Sequence, residues 1–219
     1  MRNKKIISII GGNGFIGRYL VDFLLNQGHY IKIISRNSNS RKVFYPSSKL
    51  GQYSLINCDI LDKKKLIKVT EGSFCIINLV GILESKGKNN FKNVHVTGVL
   101  NIIQAAKANK VSKIIHISAL GVEKNKKSIY AVTKLEAERK IKTYNNSIVI
   151  RPSVVCGDED NFLNFFARYI KLSPFIPLIG GGKTKFQPIL VTDLVEIIVM
   201  SMNKRFKETQ VIEVGGPDT

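Results

Sequence analysis

The sequence contains few cysteines, and none of them is spaced for cross-linking or metal binding. The 219 residues include three, Cys58, Cys75 and Cys156, which lie far apart and each border apolar residues. The absence of a CxxC pair excludes a disulfide framework and the common zinc sites. We therefore expect reduced thiols, no metal and a cytoplasmic type of compartment.

Long apolar runs are missing as well. The basic residues 1–5 are followed by an apolar run that is only as long as a β-strand and ends at Gly11. This run is too short for a transmembrane helix, and we do not expect a signal peptide. No internal repeat or low-complexity linker is visible. The length of 219 residues predicts one domain plus part of another.

Acidic residues are scarce: 16 Asp and Glu stand against 34 Lys and Arg, for a net charge of +18. Such a field would attract nucleic acid, an anionic membrane surface or an acidic protein. The excess is scattered, however, and short clusters such as 63–65 have no interleaved aromatic residues. We therefore expect no specific binding of nucleic acid, and an anionic membrane surface stays open as a partner.

The most informative segment is a glycine-rich turn after an apolar, β-branched run. Residues 6–10 predict a buried strand, and glycines recur at Gly11, Gly14 and Gly17 before a helical pattern begins. Gly11 allows a tight turn, Gly14 leaves room for phosphate, and Gly17 lets the helix pack on the strand. The helix would direct its first N–H groups and positive end at a pyrophosphate. The pattern favours dinucleotide binding over a strand–helix turn without a ligand.

The second predicted strand, residues 30–34, ends without an acidic residue. A carboxylate there would accept hydrogen bonds from the adenosine ribose 2′-hydroxyl of NAD(H). Ser35 and Arg36 follow instead, with Arg41 and Lys42 nearby, and their hydroxyl and positive charges suit a 2′-phosphate. The sequence thus predicts NADP(H) in preference to NAD(H), which stays open. The alternative is an ordinary basic loop in a lysine-rich protein.

Strand-like and helix-like runs alternate along the rest of the chain, with helices predicted at 94–108 and 130–144. The strand-like runs are nearly all apolar and cover residues 53–57, 74–80, 113–118, 147–151 and 210–214. This alternation predicts an α/β fold, a Rossmann-like doubly wound parallel sheet covered on both faces. Cofactors bind outside the carboxyl ends of such strands. We expect Asp59 there to contact the adenine amino group, and Gly81 to pass under the ribose.

A second constellation consists of Ser118, Tyr130 and Lys134. Tyrosine and lysine four residues apart project from one face of a helix. A neighbouring ammonium and a positive nicotinamide ring would favour the phenolate, making Tyr130 a general acid or base. Lys134 would hold the ribose hydroxyls, and Ser118 would orient a substrate carbonyl or hydroxyl. The alternative is an amphipathic tyrosine beside a solvated lysine.

These features resemble the short-chain dehydrogenase/reductase superfamily over essentially the whole chain. The glycine turn, Asp59, Ser118, Tyr130 and Lys134 fall in the superfamily's order. The stretch RPSVVCG at 151–157 resembles the extended and atypical, NAD-dependent epimerase/dehydratase-like members, at the point where their chain turns towards a small substrate domain. The segments QPI at 187–189 and VTD at 191–193 resemble the later strand and helix start of that branch.

Within this branch the sequence is most similar to the nucleotide-binding accessory subunits of respiratory complex I (NADH:ubiquinone oxidoreductase) and their alpha-proteobacterial relatives. The stretches HISALG at 116–121, GDEDNF at 157–162, FFAR at 165–168 and VGGP at 214–217 carry this likeness. It implies a tightly held NADPH and a structural role with no established turnover. It also implies complex I subunits as partners and a peripheral position on the inner membrane.

Two features depart from the family pattern. The dehydrogenases usually have an asparagine, which helps a proton-relay water, where this chain has His95 before Gly98. We favour a half-buried histidine bonded to a backbone carbonyl over a catalytic His95. The chain also stops directly after a strand at residues 215–219, whereas extended members continue. We therefore expect a truncated chain that lacks much of the substrate-binding region.

We expect a dinucleotide-binding Rossmann domain at 1–157 and a partial substrate lobe at 158–219, interleaved with the last Rossmann elements. The leading hypothesis is NADP(H) binding in an atypical member of the complex I accessory type. The alternatives are an active NADP-dependent reductase or a sugar or isoprenoid epimerase-dehydratase, and a nucleotide-sensing regulator or assembly factor. The residues expected to bind the dinucleotide are Gly11, Gly14, Phe15, Ile16, Gly17, Ser35, Arg36, Asp59, Ile60, Val80, Gly81, Tyr130 and Lys134.

Overall fold

A computed structural model of the chain describes residues 4–36, 45–46, 48–160, 185–206 and 208–218, together with positions 162, 164, 167, 170, 171 and 181. These residues form a parallel sheet of seven strands with helices on both faces. The strands of this sheet are β1 (Ile6–Ile10), β2 (Tyr30–Ser35), β3 (Tyr53–Asn57), β4 (Cys75–Asn78), β5 (Lys113–Ile117), β6 (Ser147–Pro152) and β9 (Gln210–Val214). The strands β7 (Val155–Cys156) and β8 (Ile189–Leu190) form a separate parallel pair.

The helices connect successive strands of the sheet. They are α1 (Phe15–Asn26), α2 (Lys63–Val69), α3 (Gly98–Ala108), α4 (Ile129–Ile141) and α5 (Val191–Asn203). A π-helical stretch, Lys92–Thr97, runs directly into α3. The wider turn of this stretch re-aims the side chains it carries, and such stretches are frequent at functional sites.

The strand order is β3-β2-β1-β4-β5-β6-β9. The chain therefore moves outward from β1 to β3 and then crosses to β4 on the other side of β1. The carboxyl ends of β1 and β4 lie side by side, with Ile10 paired to Asn78. Their loops leave in opposite directions, which opens a crevice at this switch point. Ligands of doubly wound sheets bind in such crevices.

Two apolar layers hold the sheet between the helices. On one face, fully buried Leu24 of α1 and Ile198 of α5 pack against Ile9. On the other face, Ile102 of α3 and Ala137 of α4 belong to the cluster that includes Leu66 of α2. The central strands β1, β4, β5 and β6 are buried on both faces, which is why their sequences are mostly apolar instead of alternating, whereas the edge strands β3 and β9 are partly exposed.

The fold class predicted from the sequence is confirmed. The predicted strand bounds agree with the observed ones to within one residue, except at the fourth strand, where 74–80 shortens to Cys75–Asn78. The helix α2 was not predicted, because the three lysines at 63–65 interrupt the apolar pattern that would indicate a helix. Asp62 caps this helix by accepting the Lys65 N–H at 3.0 Å. The elements α5 and β9 belong to the main sheet layers, and the boundary at 157/158 stays a prediction.

Candidate functional site

The glycine-rich turn after β1 is held by backbone contacts that need its glycines. Gly11 has a φ of +86° and donates its N–H to Ile34 O at 2.8 Å. A Cβ on Gly11 would lie 3.2 Å from a methyl group of Val80, and one on Gly17 would lie 2.5 Å from Gly12 O. The close approach at Gly17 is therefore to the backbone of the turn, and it holds α1 against the turn, whereas packing of the helix on the strand was expected.

Within the described ranges, no side chain neutralises the positive end at the start of α1. Gly14 precedes the helix, no side chain caps it, and its first turn contains no acidic residue. A Cβ on Gly14 would meet Gly11 O at 3.1 Å and no other atom within 4 Å, so the space above the turn is open. The exposed N–H groups and the helix dipole would favour an anion here.

The two residues that open α1 have different positions. The ring of Phe15 packs edge-on against Tyr19, with centroids 5.8 Å apart. It also contacts the backbone at Gly157, where a Cβ would lie 3.0 Å from the ring. Phe15 therefore lies on the side of the helix start next to Gly157, whereas Ile16 lines a large cavity beside the turn.

A cavity of about 330 Å³ lies over the carboxyl ends of β1, β2 and β4. The predicted binding residues that line it are Gly11, Gly14, Ser35, Arg36, Asp59, Ile60, Val80 and Gly81. Asn13 Nδ2 donates to Ser35 Oγ at 3.2 Å. Asp59 Oδ1 accepts the Leu61 N–H at 2.9 Å, so one oxygen of this carboxylate stabilises its own turn. Arg41 and Lys42 lie outside the described residues.

An adjoining cavity of about 520 Å³ is lined by two cationic side chains, Arg36 and Lys88. Its lining consists of Arg36, Asn57, Asp59, Lys88 and Asn89. Sequence reasoning missed Lys88, because it lies on the loop after β4, about fifty residues from Arg36, and nothing local signals its position. The charged groups of this cavity are therefore two cations and one carboxylate among the described residues.

A third cavity, of about 960 Å³, contains the second constellation. Ser118 at the end of β5, with Tyr130 and Lys134 on α4, lines it as one group. Leu79 and Gly81 line both this cavity and the 330 Å³ one, so the two adjoin at the end of β4. The structure thus brings the two predicted constellations to one crevice.

The three polar side chains of this constellation have distinct environments. Ser118 is buried, and its Oγ has no hydrogen-bond partner within the described part of the chain. Lys134 is buried too, and its Nζ donates to Ile117 O at 3.1 Å, which removes the alternative of a solvated lysine. Burial lowers the pKa of Lys134 to about 8, an effect that nearby Glu138 partly offsets.

Burial raises the pKa of Tyr130 above its usual value of 10. The lowered pKa expected from the sequence depended on two positive charges beside the phenol, a neighbouring ammonium and a nicotinamide ring. In the chain without a ligand the effect of burial prevails, so the lowered pKa stays a prediction for the dinucleotide complex.

His95 is fixed as a neutral ring. Its Nδ1 lies 3.0 Å from Thr133 Oγ1, and that hydroxyl is within donating distance of backbone carbonyls of α4. Nδ1 must therefore carry the proton and donate, while Nε2 accepts the Ile82 N–H at 3.4 Å. Burial, with a smaller effect of Lys134, lowers the pKa of His95 to about 4. The hydrogen-bond partners of the His95 ring are a threonine hydroxyl and a backbone N–H, not the expected backbone carbonyl. The ring is nevertheless buried with both nitrogens hydrogen-bonded, which fits the favoured interpretation of a satisfied histidine.

An ion cluster ties α4 to the sheet. Arg151 of β6 donates to both carboxylate oxygens of buried Glu138, at 3.0 and 2.8 Å. It also contacts Glu123 at 2.8 Å and Glu213 at 2.9 Å. Because Glu138 lies one helical turn after Lys134, this cluster fixes the helix that carries Tyr130.

The described part of the chain contains neither a membrane-spanning helix nor a cluster of metal-ligating side chains. No helix there has an apolar stretch long enough to cross a bilayer. No group of three or more His, Cys, Asp or Glu side chains comes together there as a metal site would need.

Known proteins show clear similarity to this chain. The sequence model of the NAD dependent epimerase/dehydratase family matches residues 7–215. A relative from Arabidopsis thaliana, NADH dehydrogenase (ubiquinone) 1 alpha subcomplex subunit 9, mitochondrial, is 30% identical over 97% of this chain and 54% of its own length. Its Mus musculus counterpart of the same name is 32% identical over 89% of this chain and 52% of its own.

The chain thus spans about half the length of the relatives it matches. A solved structure, the Bordetella bronchiseptica enzyme WbmG in complex with NAD, superposes with a TM-score of 0.75 at 17% identity, covering 98% of this chain and 73% of that one. At this identity the likeness concerns the fold.

Proposed function

This chain belongs to the NAD dependent epimerase/dehydratase family, and from that premise we propose that it binds NADP(H) and serves mainly to hold it. The observation that carries the proposal is the uncapped start of α1 above a glycine turn, at the switch point between β1 and β4. The backbone at Gly11 and Gly14 would accept the pyrophosphate, with the N–H groups of α1 as donors.

The preference for the phosphorylated dinucleotide rests on charge at the end of β2. Arg36 and Lys88 line the same cavity, and β2 ends in Ser35 where NAD-binding chains place a carboxylate. Asp59 is the opposing charge, and its Oδ1 is already engaged by the Leu61 N–H. A 2′-phosphate would therefore meet a cavity with one net positive charge.

Holding is favoured over turnover by the groups around Tyr130. His95 occupies the relay position with both ring nitrogens engaged, and burial keeps it neutral. Burial also favours the protonated phenol of Tyr130. His95 thus has no free ring nitrogen to relay a proton, and Tyr130 with a raised pKa is a weaker acid than a free tyrosine in the chain without a ligand.

A second candidate is an active NADP-dependent reductase, supported by the presence of Ser118, Tyr130 and Lys134 in one cavity. When bound, a nicotinamide ring supplies or accepts hydride. Ser118 would orient the substrate oxygen, Tyr130 would exchange its proton, and Lys134 would hold the ribose.

The partners we propose are subunits of respiratory complex I, with the chain peripheral on the membrane. This rests on the relatives, which are named as NADH dehydrogenase subunits, and on the basic net charge of +18, which would favour an anionic surface. Copurification with membrane-bound respiratory subunits would support it, and recovery without any of them would count against it.

Mass spectrometry of the nucleotide released on denaturing the purified protein tests the main proposal. We expect NADP(H) at near one equivalent, and NADPH consumption with a broad carbonyl panel that does not exceed the buffer rate. Release of NAD(H) alone would contradict the preference. A robust turnover that disappears in Tyr130→Phe would replace the holding role with the reductase.

A further inference from the structure

The 960 Å³ cavity beside Tyr130 is large for the nicotinamide end of a dinucleotide alone, since drug-sized ligands occupy cavities of about 300–1,000 Å³. We propose that this cavity binds a single-chain apolar molecule, of the acyl or isoprenoid class, that carries one carbonyl or hydroxyl group at the Ser118 end. The inference rests on the proposed function, because the dinucleotide would form one wall of the completed site.

The walls of the cavity are mainly hydrocarbon. The apolar side chains that line it are Ile16, Leu79, Ile82, Leu83, Ile117, Ala119, Leu120, Pro152, Val154, Val155, Phe162 and Phe186. The rings of Phe162 and Phe186 pack together, with centroids 5.3 Å apart, and form one side. Surfaces of this kind gain affinity by removing apolar ligand surface from water.

The polar side chains among the described lining residues are Ser118, Tyr130, Lys134, Ser153 and Lys124, and the first three form one group at the end of β5 and on α4. Ser118 Oγ is buried without a partner within the described ranges, so it can serve one ligand oxygen. Lys134 Nζ is already bonded to Ile117 O. No carboxylate occurs among the described lining residues. A sugar nucleotide would bury many hydroxyls against mainly apolar side chains, at a high desolvation cost, whereas a molecule with one carbonyl or hydroxyl group would place that group at Ser118 and its hydrocarbon against the apolar walls.

The exposed side chains that line the cavity are two leucines and one lysine, Lys124. Leu83 is 78% exposed and Leu120 is 40% exposed, and both side chains also line the interior. Exposed leucines at an opening give a continuous apolar path from the surface to Ser118. A hydrocarbon chain would lie along this path with its polar group innermost.

A homologous series of 2-alkanones, from four to twelve carbons, tests the proposal by calorimetric titration of the NADPH-loaded protein. We expect affinity to rise about fourfold for each added methylene until the cavity is full. UDP-glucose, as the polar comparison ligand, should not bind. Affinity that is independent of chain length, or tighter binding of UDP-glucose than of the long ketones, would overturn the proposal.

Two leucine variants distinguish binding in this cavity from nonspecific hydrophobic binding at the surface. Leu120→Ser should weaken the binding of the long ketones about tenfold. Leu100→Ser on α3 removes the same surface at 36% exposure away from the cavity and should change nothing. Equal losses in both variants, or a loss in neither, would refute the assignment.

Binding of NADPH is measured first, on the same samples, so the two proposals fail separately. Failure to bind NADPH rejects the proposed function, and the ketone series on nucleotide-free protein still decides the cavity. Normal NADPH binding with a flat ketone series rejects the cavity assignment alone.

Discussion

Removal of the Arg36 charge should reduce the affinity for NADPH without changing that for NADH. A charge-assisted contact to phosphate contributes about 1.5–3 kcal/mol. Because Arg36 is exposed at the end of β2, solvent screening favours the lower limit. Arg36→Ala should therefore weaken NADPH binding about tenfold. A residual preference should remain, because Lys88 still lines the cavity.

Nicotinamide fluorescence suits this measurement, since the chain has no tryptophan to contribute background. Lys88→Ala should also lower NADPH affinity, whereas Lys86→Ala, a neighbouring exposed lysine that does not line the cavities, is the matched control. At about 1 M salt, where the screening length falls to about 3 Å, the preference should shrink. Equal affinities of the wild-type chain for NADPH and NADH, or an equal loss of both in Arg36→Ala, would refute the reasoning.

Gly14→Val should abolish dinucleotide binding with little loss of stability, because a Cβ there meets one backbone oxygen at 3.1 Å. Gly17→Val should also destabilise the fold by about 1–3 kcal/mol or more, since its Cβ would lie 2.5 Å from Gly12 O; thermal unfolding distinguishes the two. Tyr130→Phe should leave binding and stability within about 0.5 kcal/mol, and a larger change in either would show that its hydroxyl has a structural partner. His95 stays neutral in the folded chain down to a pH of about 4, whereas the unfolded histidine takes a proton near 6.5. Unfolding therefore binds a proton between these values, and stability falls as the pH drops from 6.5 to 4. Measured against His95→Asn by urea denaturation, the loss should approach 3 kcal/mol, and an unchanged difference would show that His95 is not desolvated.

The sheet could be predicted from the sequence because its strands are buried on both faces. Runs such as 6–10 and 113–117 are mostly apolar without strict alternation, which is typical of parallel strands between helix layers. The two-residue strand β7 was missed because so short a pairing has no periodicity, whereas β8 was indicated only by the resemblance of residues 187–189 to a later strand of the family. The predicted helix at 94–108 was correct in place, but its first turns are π-helical, a distinction that propensity does not encode.

The residues of the candidate site were predictable where the chemistry is local, and their partners were not. The glycine turn and the Tyr130–Lys134 pair are short sequence patterns. Once the strand order is known, both are expected to lie at the same crevice. Thr133, which holds His95, lies 38 residues away from it in sequence. The pairing of buried His116 with Asn78 joins two strands in the same way. Such contacts depend on the register between elements, which one sequence does not specify.

The junction of the two cavities at Leu79 and Gly81 has a consequence for the lifetime of the chain in a cell. A dinucleotide lying across it would contact the β1–β3 half of the sheet and α4 at once, and would dissociate when either half opened. At a free concentration of a hundred times Kd, such a ligand adds about 2.7 kcal/mol to the free energy of unfolding. The fraction of molecules open to proteases would then fall about a hundredfold. The abundance of the protein would thus follow the supply of its nucleotide, even at a constant rate of synthesis.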